Sequence, residues 1–185
     1  IVYCKATNNI HERTRELSAS TVGSYRSSPG FAIMRRNTVS QQSWLHREGL
    51  INGIRLHWVE ARPRSPNKTA PLVVLLHGFP VFWYSWRHQI TALALAGYRV
   101  VAPDLRGFNL TEKPATGYDL NTLTQDIAEL IATLTMDTEK AFLVGQDWGG
   151  VIAFAVAARF PELVHKLVVL DSNPTLCSLD NMTFL

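Results

Sequence analysis

The chain has 185 residues, 46% of them hydrophobic, and a formal net charge of +3 at pH 7. This length and composition predict one globular domain with a sizeable apolar core. No apolar run approaches the roughly 18 residues that cross a membrane, so no membrane span is predicted. The positive charge belongs to residues 1–48, where seven Lys or Arg stand against three Glu. The remainder is close to neutral, and we expect no nucleic-acid partner for it.

The cysteines and glycosylation sequons carry little information. Cys4 and Cys177 lie near opposite ends of the chain and have no metal-binding spacing, so we expect two reduced thiols. The N-x-T sequons at Asn67, Asn109 and Asn181 are of a kind that often arises by chance. Nothing else indicates secretion. We therefore expect a cytoplasmic protein, with import into an organelle left open.

The first 42 residues show neither a helical nor a strand period and are rich in Ser, Arg, Asn and Thr. This composition predicts a disordered segment. The stretch between Leu17 and Arg47 contains arginine and serine but no acid, as in an organelle transit peptide. Alternatively, Met34 is the initiator and residues 1–33 are not native. We prefer the second interpretation, and in both of them the folded domain occupies residues 43–185.

The first predicted elements are two strand-like runs at residues 44–51 and 54–61, joined by Asn52-Gly53. Asn-Gly between such runs is a strong signal for a β-hairpin. After a polar loop, residues 72–76 are continuously apolar, which is typical of a strand buried on both faces. This strand leads into the motif His77-Gly78-Phe79-Pro80.

Three helices are predicted further along the chain. Apolar residues at helical spacing indicate helices near residues 86–97 and 121–134. Asp119 or Asn121 is the expected N-cap of the second helix. A third apolar run, residues 151–158, is long and lacks strand alternation, so it predicts a buried helix.

Short apolar runs predict further buried strands, at residues 98–102, 141–144 and 167–170. Strands that alternate with helices predict an α/β fold, here a mostly parallel sheet with an N-terminal hairpin and helices on both faces. Ligands bind such sheets at the carboxyl ends of the strands. The motifs at residues 77–80 and 104–106 and the acid Asp147 all follow predicted strands, so we expect them at one edge of the sheet.

A glycine-rich turn connects the strand at residues 141–144 to the buried helix that follows. Its sequence, Gly145-Gln146-Asp147-Trp148-Gly149-Gly150, has the pattern of a nucleophile elbow with Asp147 in the place of serine. The alternative is a glycine-rich turn with an acid as helix N-cap. A carboxylate that attacks an alkyl carbon leaves an ester, which water cleaves, whereas a serine would leave a stable ether. Asp147 therefore indicates substitution at an alkyl carbon followed by ester hydrolysis.

Four motifs, in this order and spacing, resemble those of a known family: HGFP at residues 77–80, WYSWR at 83–87, PDLRG at 103–107 and GQDWGG at 145–150. Through them, residues 44–172 resemble the α/β-hydrolase fold, in particular its epoxide hydrolase branch. The resemblance implies a hydrolase that converts a small apolar epoxide and water into a diol. It implies no cofactor and no metal.

The resemblance also assigns roles by position. Asp147 matches the nucleophile, and the backbone N–H groups of Phe79 and Trp148 match an oxyanion hole that acts during ester hydrolysis. The peptide bond between Phe79 and Pro80 is expected to be cis. The same motifs supply supporting residues around these groups: His77, Gly78, Pro80, Gly145, Gly149 and Gly150.

Other residues of the motifs have structural interpretations. His77 is expected to orient the loop rather than to act as a base. Asp104 and Arg106 are expected to form a polar pair that fixes their loop. Trp83 and Trp86 are expected to pack, with Trp83 as a possible part of the pocket lining.

The family also requires a His that activates water, an acid that orients it and tyrosines of a cap domain. All of these follow the last strand found here, so we expect residues 43–185 to be the N-terminal part of the domain, without the cap and the last strands. The isolated chain is expected to be inactive and weakly stable. The outer edge of the strand that ends at Leu170 is expected to be unpaired.

Three alternatives to an epoxide hydrolase stay open. A haloalkane dehalogenase uses the same aspartate, but one subgroup has Asn where this chain has Phe79. A fluoroacetate-type dehalogenase usually has Arg after the nucleophile, where this chain has Trp148. A non-catalytic binding protein on the same fold would be distinguished from an enzyme by the absence of the His that activates water.

Overall fold

A central β-sheet carries the fold in the computed structural model, which describes residues 2–4, 44–63, 70–136 and 139–172, the first of these ranges by its backbone alone. Apart from residues 2–4, the predicted disordered segment at residues 1–42 lies outside the described residues, and so does Met34. Cys177 and the sequons at Asn67 and Asn181 also lie outside them. The predictions made for these positions stay predictions.

Seven strands form the sheet within the described residues: β1 Val2–Cys4, β2 Leu45–Ile51, β3 Ile54–Ala61, β4 Leu72–Leu76, β5 Arg99–Pro103, β6 Ala141–Gln146 and β7 Val164–Leu170. Their order across the sheet is β1-β7-β6-β4-β5-β3-β2. β3 is antiparallel to both β2 and β5, and the other neighbours are parallel. The mostly parallel sheet with an N-terminal hairpin is confirmed.

The hairpin turn between β2 and β3 has the geometry that its sequence predicts. Asn52 and Gly53 have φ angles of 46° and 75°, and Ile51 pairs with Ile54 across the turn. Two left-handed residues in a row define the hairpin turn that matches the twist of the strands on either side. The Asn-Gly pair therefore fixes the register of the β2–β3 hairpin.

β1 is a strand that the sequence does not predict, because three residues are too short to show a period. It pairs in parallel with β7, and its partners are Val168, Val169 and Leu170. The expectation of an unpaired outer edge at Leu170 was therefore wrong. Along these three residues the edge of β7 is covered by backbone hydrogen bonding.

The helices are α1 Arg87–Leu95, α2 Leu120–Thr135 and α3 Trp148–Arg159, and a short 3₁₀ helix, Trp83–Trp86, precedes α1. The sequence predicts α1 but not the 3₁₀ helix. Two backbone N–H groups stabilise the 3₁₀ helix. Trp83 N–H donates to the side chain of Asp104, at Oδ1, at 3.1 Å, and Ser85 N–H donates to the Phe82 carbonyl at 3.0 Å. The bond from Trp83 to Asp104 joins residues 21 positions apart, so no local sequence pattern predicts it.

The core has two layers, one on each face of the sheet. β4 is buried along its whole length. Leu72, Val74 and Leu76 belong to the cluster that includes α2 and α3, whereas Val73 and Leu75 belong to the cluster that includes α1. This alternation follows from the period of two in a strand. It confirms helices on both faces and explains why the sequence of β4 is apolar throughout.

Glu60 is a carboxylate buried in β3, with 2% of its surface exposed. Arg62 Nε and Arg99 Nε lie 2.6 and 2.9 Å from Glu60 Oε1. Burial acts to raise the pKa of Glu60, but the hydrogen bonds from these arginines outweigh it and hold the pKa below its ordinary value. Arg99 also donates to the Leu134 carbonyl at the end of α2, at 2.9 Å. The cluster joins β3, β5 and α2 at the edge of the sheet opposite the functional motifs.

The N-terminus of α2 is capped by Asp119, one of the two predicted caps. Its Oδ1 accepts the Thr122 N–H at 3.0 Å, and its Oδ2 accepts the Thr122 hydroxyl at 2.7 Å. These bonds from Thr122 lower the pKa of Asp119. The carboxylate therefore satisfies a backbone donor that the helix itself leaves unpaired.

We expect Asp119→Ala to lower the free energy of unfolding by about 1 kcal/mol, and Asp119→Asn to lower it by less because Asn also caps helices. Since the pKa of Asp119 is lowered in the folded state, its charge stabilises the fold above the ordinary pKa of an aspartate, and this contribution is lost as the pH falls through the folded-state pKa. Thermal unfolding of the natural protein and both variants, from neutral to acid pH, measures it. An Asn variant that follows the parent at every pH contradicts this effect of charge.

Candidate active site

The motif at residues 145–150 spans the junction of β6 and α3, and its acid is held there in a strained conformation. Asp147 has φ 52° and ψ −120°, and its side chain is exposed. A non-glycine residue rarely adopts such angles, and strain of this kind clusters at functional sites. Backbone bonds hold the turn: Asp147 N–H donates to the Leu170 carbonyl at 3.1 Å, and Gly150 N–H donates to the Asp147 carbonyl at 2.9 Å.

Glycine is required in this turn because the start of α3 passes directly over neighbouring backbone. A Cβ on Gly149 would clash with the carbonyl oxygens of Leu76 and His77 at the end of β4. A Cβ on Gly145 would clash with the Gly149 carbonyl, and one on Gly150 would lie 2.6 Å from Ser172 Cβ. The three glycines of the motif thus allow close packing of α3 against β6, β4 and the end of β7.

The loop after β4 brings a backbone donor to the acid. Phe79 N–H donates to Asp147 Oδ1 at 3.0 Å. A Cβ on Gly78 would lie 2.7 Å from Asp147 Cβ, so only glycine lets the loop approach this closely. The peptide bond between Phe79 and Pro80 is cis, as the resemblance implies. Trp148 follows the acid in sequence, begins α3 and is half-buried.

His77 lies between the loops that follow β4 and β5. It is fully buried, with Nδ1 2.9 Å from the Gly78 carbonyl and Nε2 3.0 Å from the Leu105 N–H. A carbonyl accepts and an N–H donates, so the proton is assigned to Nδ1 and the ring is neutral. Burial lowers the pKa of His77. Both nitrogens are engaged, and His77 orients the loop that carries Phe79.

Asp104 and Arg106 each fix a loop, but they do not pair with each other as the sequence suggests. Asp104 is fully buried and accepts from the Trp83 N–H at 3.1 Å and from His57 Nδ1 at 2.7 Å. Arg106 instead makes a two-pronged ion pair with Asp126 of α2, at 2.8 and 2.7 Å. The hydrogen bonding to Asp126 raises the pKa of Arg106. The two side chains follow one strand yet belong to separate networks.

Sequence reasoning missed the partners of these residues. No motif includes His57, which lies inside β3, or Asp126, which lies inside α2. The available signal is that His57 stands among apolar residues of a predicted strand, where a buried polar group requires a partner. Trp83 is a packing residue with 7% exposure, and its ring centroid lies 5.3 Å from that of Trp44.

Apolar side chains are exposed on the loop after β4, which contacts Asp147 through Phe79, and on the 3₁₀ helix that follows it. Phe79 is 64% exposed, and Phe82 and Tyr84 stack with ring centroids 6.2 Å apart. An exposed apolar surface beside a carboxylate suits a small apolar ligand. A cavity of about 480 Å³ lies elsewhere, beside α2 and residues 139–140, and its lining does not include Asp147.

Among the residues that the structure describes, no cluster of three His, Cys, Asp or Glu side chains could hold a metal ion. None of the described helices is long and apolar enough to cross a membrane.

The sheet order, the strained strand-to-helix turn and the adjacent donor loop define the class of α/β proteins that carry a reactive residue at the carboxyl edge of a parallel sheet. A family model described as the alpha/beta hydrolase fold matches residues 71–184. The chain belongs to this family.

Relatives and solved structures point to one branch of the family. An AB hydrolase superfamily protein of Bacillus subtilis is 49% identical over 65% of this chain, and a soluble epoxide hydrolase of a Corynebacterium species is 44% identical over 71%. A crystal structure of an epoxide hydrolase from Vigna radiata aligns with 70% of this chain and 39% of its own, with a TM-score of 0.64 and 41% identity. This chain spans 41% and 43% of the two relatives' lengths.

We expect Gly149→Ala to lower the free energy of unfolding by about 3 kcal/mol, although alanine normally favours a helix, because its methyl group meets carbonyl oxygens of the central strand. Gly97→Ala is the matched control: no atom lies within 4 Å of its Cβ position, and its φ of 99° is the source of strain. That control should cost about 1–2 kcal/mol. Denaturant unfolding of both variants tests the packing of α3 against β4, and equal losses would contradict it.

Proposed function

We propose that the complete protein is an epoxide hydrolase in which Asp147 forms the covalent ester. The observation that carries this proposal is the strained, exposed Asp147 carboxylate with the Phe79 N–H 3.0 Å from its Oδ1. The names of the Corynebacterium relative and the Vigna radiata structure support the choice of an epoxide as substrate. The partners in this reaction are a small apolar epoxide and water.

The first step opens the epoxide ring. A carboxylate oxygen of Asp147 attacks a ring carbon, and the bond from that carbon to the ring oxygen breaks. The oxygen takes up a proton from a tyrosine of the cap domain, the donor that the family resemblance implies, and becomes a hydroxyl. The attack needs no general base, because a carboxylate is already an anion at neutral pH. The product is a hydroxyalkyl ester of Asp147. The chemistry uses acid, base and nucleophile only and requires no cofactor.

The second step hydrolyses the ester. Water adds to the ester carbonyl, charge develops on the carbonyl oxygen, and collapse of the tetrahedral intermediate releases the diol and restores the carboxylate. The Phe79 N–H already lies at hydrogen-bond distance from one carboxylate oxygen. With the backbone N–H of Trp148 it is proposed to stabilise the developing charge, the role of an oxyanion hole.

Ester hydrolysis also requires a base that activates water. His77 is unsuited to this role because both of its ring nitrogens are engaged inside the protein. Among the described histidines, His57 is likewise engaged at both nitrogens, by Asp104 and His46. We therefore propose that the base is supplied by a residue other than His57 and His77.

A haloalkane dehalogenase is the second candidate, since the same carboxylate displaces a halide from an alkyl carbon. Phe79 favours the epoxide assignment. At this position one dehalogenase subgroup offers the amide of an Asn to the leaving halide, whereas Phe offers only its backbone N–H. A binding protein without catalysis is the third candidate, and the preserved carboxylate and donor loop disfavour it.

We expect Asp147→Asn to leave the fold intact and to abolish ester formation, because a neutral amide is a poor nucleophile. A single turnover of the complete protein in water enriched in heavy oxygen should place the label on the peptide that contains Asp147. Residues 1–185 alone should release no diol. Normal turnover with no label in that peptide refutes Asp147 as the nucleophile.

We expect the complete protein to prefer epoxides to alkyl halides by at least about tenfold in kcat/KM, a difference of about 1.4 kcal/mol in transition-state stabilisation. Diol formation from small alkyl and aryl epoxides and halide release from chloroalkanes of matched size are the measurements. Substituting Phe79→Asn should raise halide release relative to the parent. Faster halide release than diol formation by the parent protein reverses the assignment.

A further inference from the structure

Three side chains form a hydrogen-bonded row that runs from the surface into the protein. His46 on β2 is exposed, whereas His57 on β3 and Asp104 after β5 have 1% and 0% exposure. His46 Nδ1 lies 2.9 Å from His57 Nε2, and His57 Nδ1 lies 2.7 Å from Asp104 Oδ2. We call these three residues the histidine row.

The proton positions in the row follow from its inner end. The Asp104 carboxylate is surrounded by donors, the Trp83 N–H at 3.1 Å and Asn109 Nδ2 at 2.9 Å, so its oxygens act as acceptors. His57 must then carry a proton on Nδ1. In a neutral His57 ring, Nε2 is an acceptor, and His46 donates to it from Nδ1. Asp104 therefore fixes the tautomer of His57, and His57 in turn fixes that of His46.

Both ends of the row contact the same residue. Asp104 accepts the Trp83 backbone N–H, and the His46 ring lies edge-on to the Trp83 indole with centroids 5.5 Å apart. Trp83 begins the 3₁₀ helix that directly follows residues 79–82. The row thus holds the far end of the loop that carries Phe79.

The near end of that loop is held independently. His77 accepts the Leu105 N–H at 3.0 Å and contacts the Gly78 carbonyl at 2.9 Å. Between these two attachments, Phe79 N–H reaches Asp147 Oδ1. A donor fixed at both ends of a short loop is pre-organised, and a displacement of about 1 Å at such a donor can cost about 100-fold in rate.

We propose that Asp104, His57 and His46 are positioning residues for the Phe79 donor: the exposed imidazole orients the buried one, the buried one orients the carboxylate, and the carboxylate fixes Trp83. Under the proposed function above, the row acts on ester hydrolysis, because the oxyanion that Phe79 stabilises forms in that step. Ring opening places no negative charge on the carbonyl oxygen of the ester and depends on the row much less.

The experiment compares two substitutions of His57 in the complete protein. His57→Phe fills the site with a ring that cannot donate to Asp104. His57→Asn keeps a donor close to the position of Nδ1 and is the conservative rescue. His165→Gln is the control, because His165 is an exposed imidazole that packs edge-on to Phe142 at 4.9 Å and lies outside the row.

Single-turnover mass spectrometry of the Asp147 peptide separates ester formation from ester hydrolysis. We expect His57→Phe to slow hydrolysis by about 10- to 100-fold while ester formation changes by less than about threefold, so the ester accumulates. His57→Asn should recover most of the hydrolysis rate, and His165→Gln should match the parent. His46→Phe should slow hydrolysis less than His57→Phe does, since His46 lies one hydrogen bond further from Asp104.

Two results overturn the row as a positioning device. In one, His57→Phe hydrolyses the ester at the parent rate. In the other, both steps fall together with the folded fraction measured by circular dichroism, which indicates a structural role only. Asp104→Asn provides a second variant with nearly unchanged volume, and it should also accumulate ester. Its failure to do so in a folded protein counts equally against the row.

A measurement without substrate separates this inference from the proposed function. Amide hydrogen exchange of the peptide that spans Phe79 to Trp83 should become faster by about tenfold or more in His57→Phe and stay near the parent in His57→Asn. If the parent forms no ester on Asp147 but the exchange pattern holds, the assigned reaction is wrong and the row still positions the loop. Unchanged exchange in His57→Phe refutes the row itself.

Discussion

The backbone of Gly149 rests against the carbonyl oxygens of Leu76 and His77, and this contact fixes where α3 begins relative to the end of β4. No side chain fits between them, so the turn before α3 has to close within a few residues. Asp147 takes up the strain of that closure, with φ 52°. Its carboxylate is thereby held opposite the loop after β4, where the Phe79 N–H meets it.

Buried polar pairs then connect the surrounding loops. His77 links the loops after β4 and β5, Asp104 links the loop after β5 to the 3₁₀ helix, and Arg106 links it to α2 through Asp126. Each group would be costly to bury alone, because an unpaired buried polar group or charge loses its hydration without compensation. The partners therefore depend on one another, and together they hold the loops in place around Asp147.

Chemistry and packing place different demands on carboxylates in this part of the protein. Substitution at an alkyl carbon needs an anionic nucleophile that stays exposed, whereas the loops that orient it need buried, fully bonded side chains. The structure separates these demands: Asp147 is exposed, and Asp104, a residue of the same type, is completely buried among donors. The proposed epoxide chemistry relies on the first carboxylate reacting and on the second remaining an acceptor.

The sequence by itself determined the hairpin at Asn52, the buried strand β4 and the glycine-rich turn around Asp147, because each is encoded by a pattern within about ten neighbouring residues. It also determined that these motifs lie at one edge of the sheet, since parallel strands end together. Only the tertiary structure decided that Asp104 binds His57 while Arg106 binds Asp126, and that β1 covers β7. Those contacts join residues far apart in the chain, and they exist only once strand register and helix packing have brought the residues together.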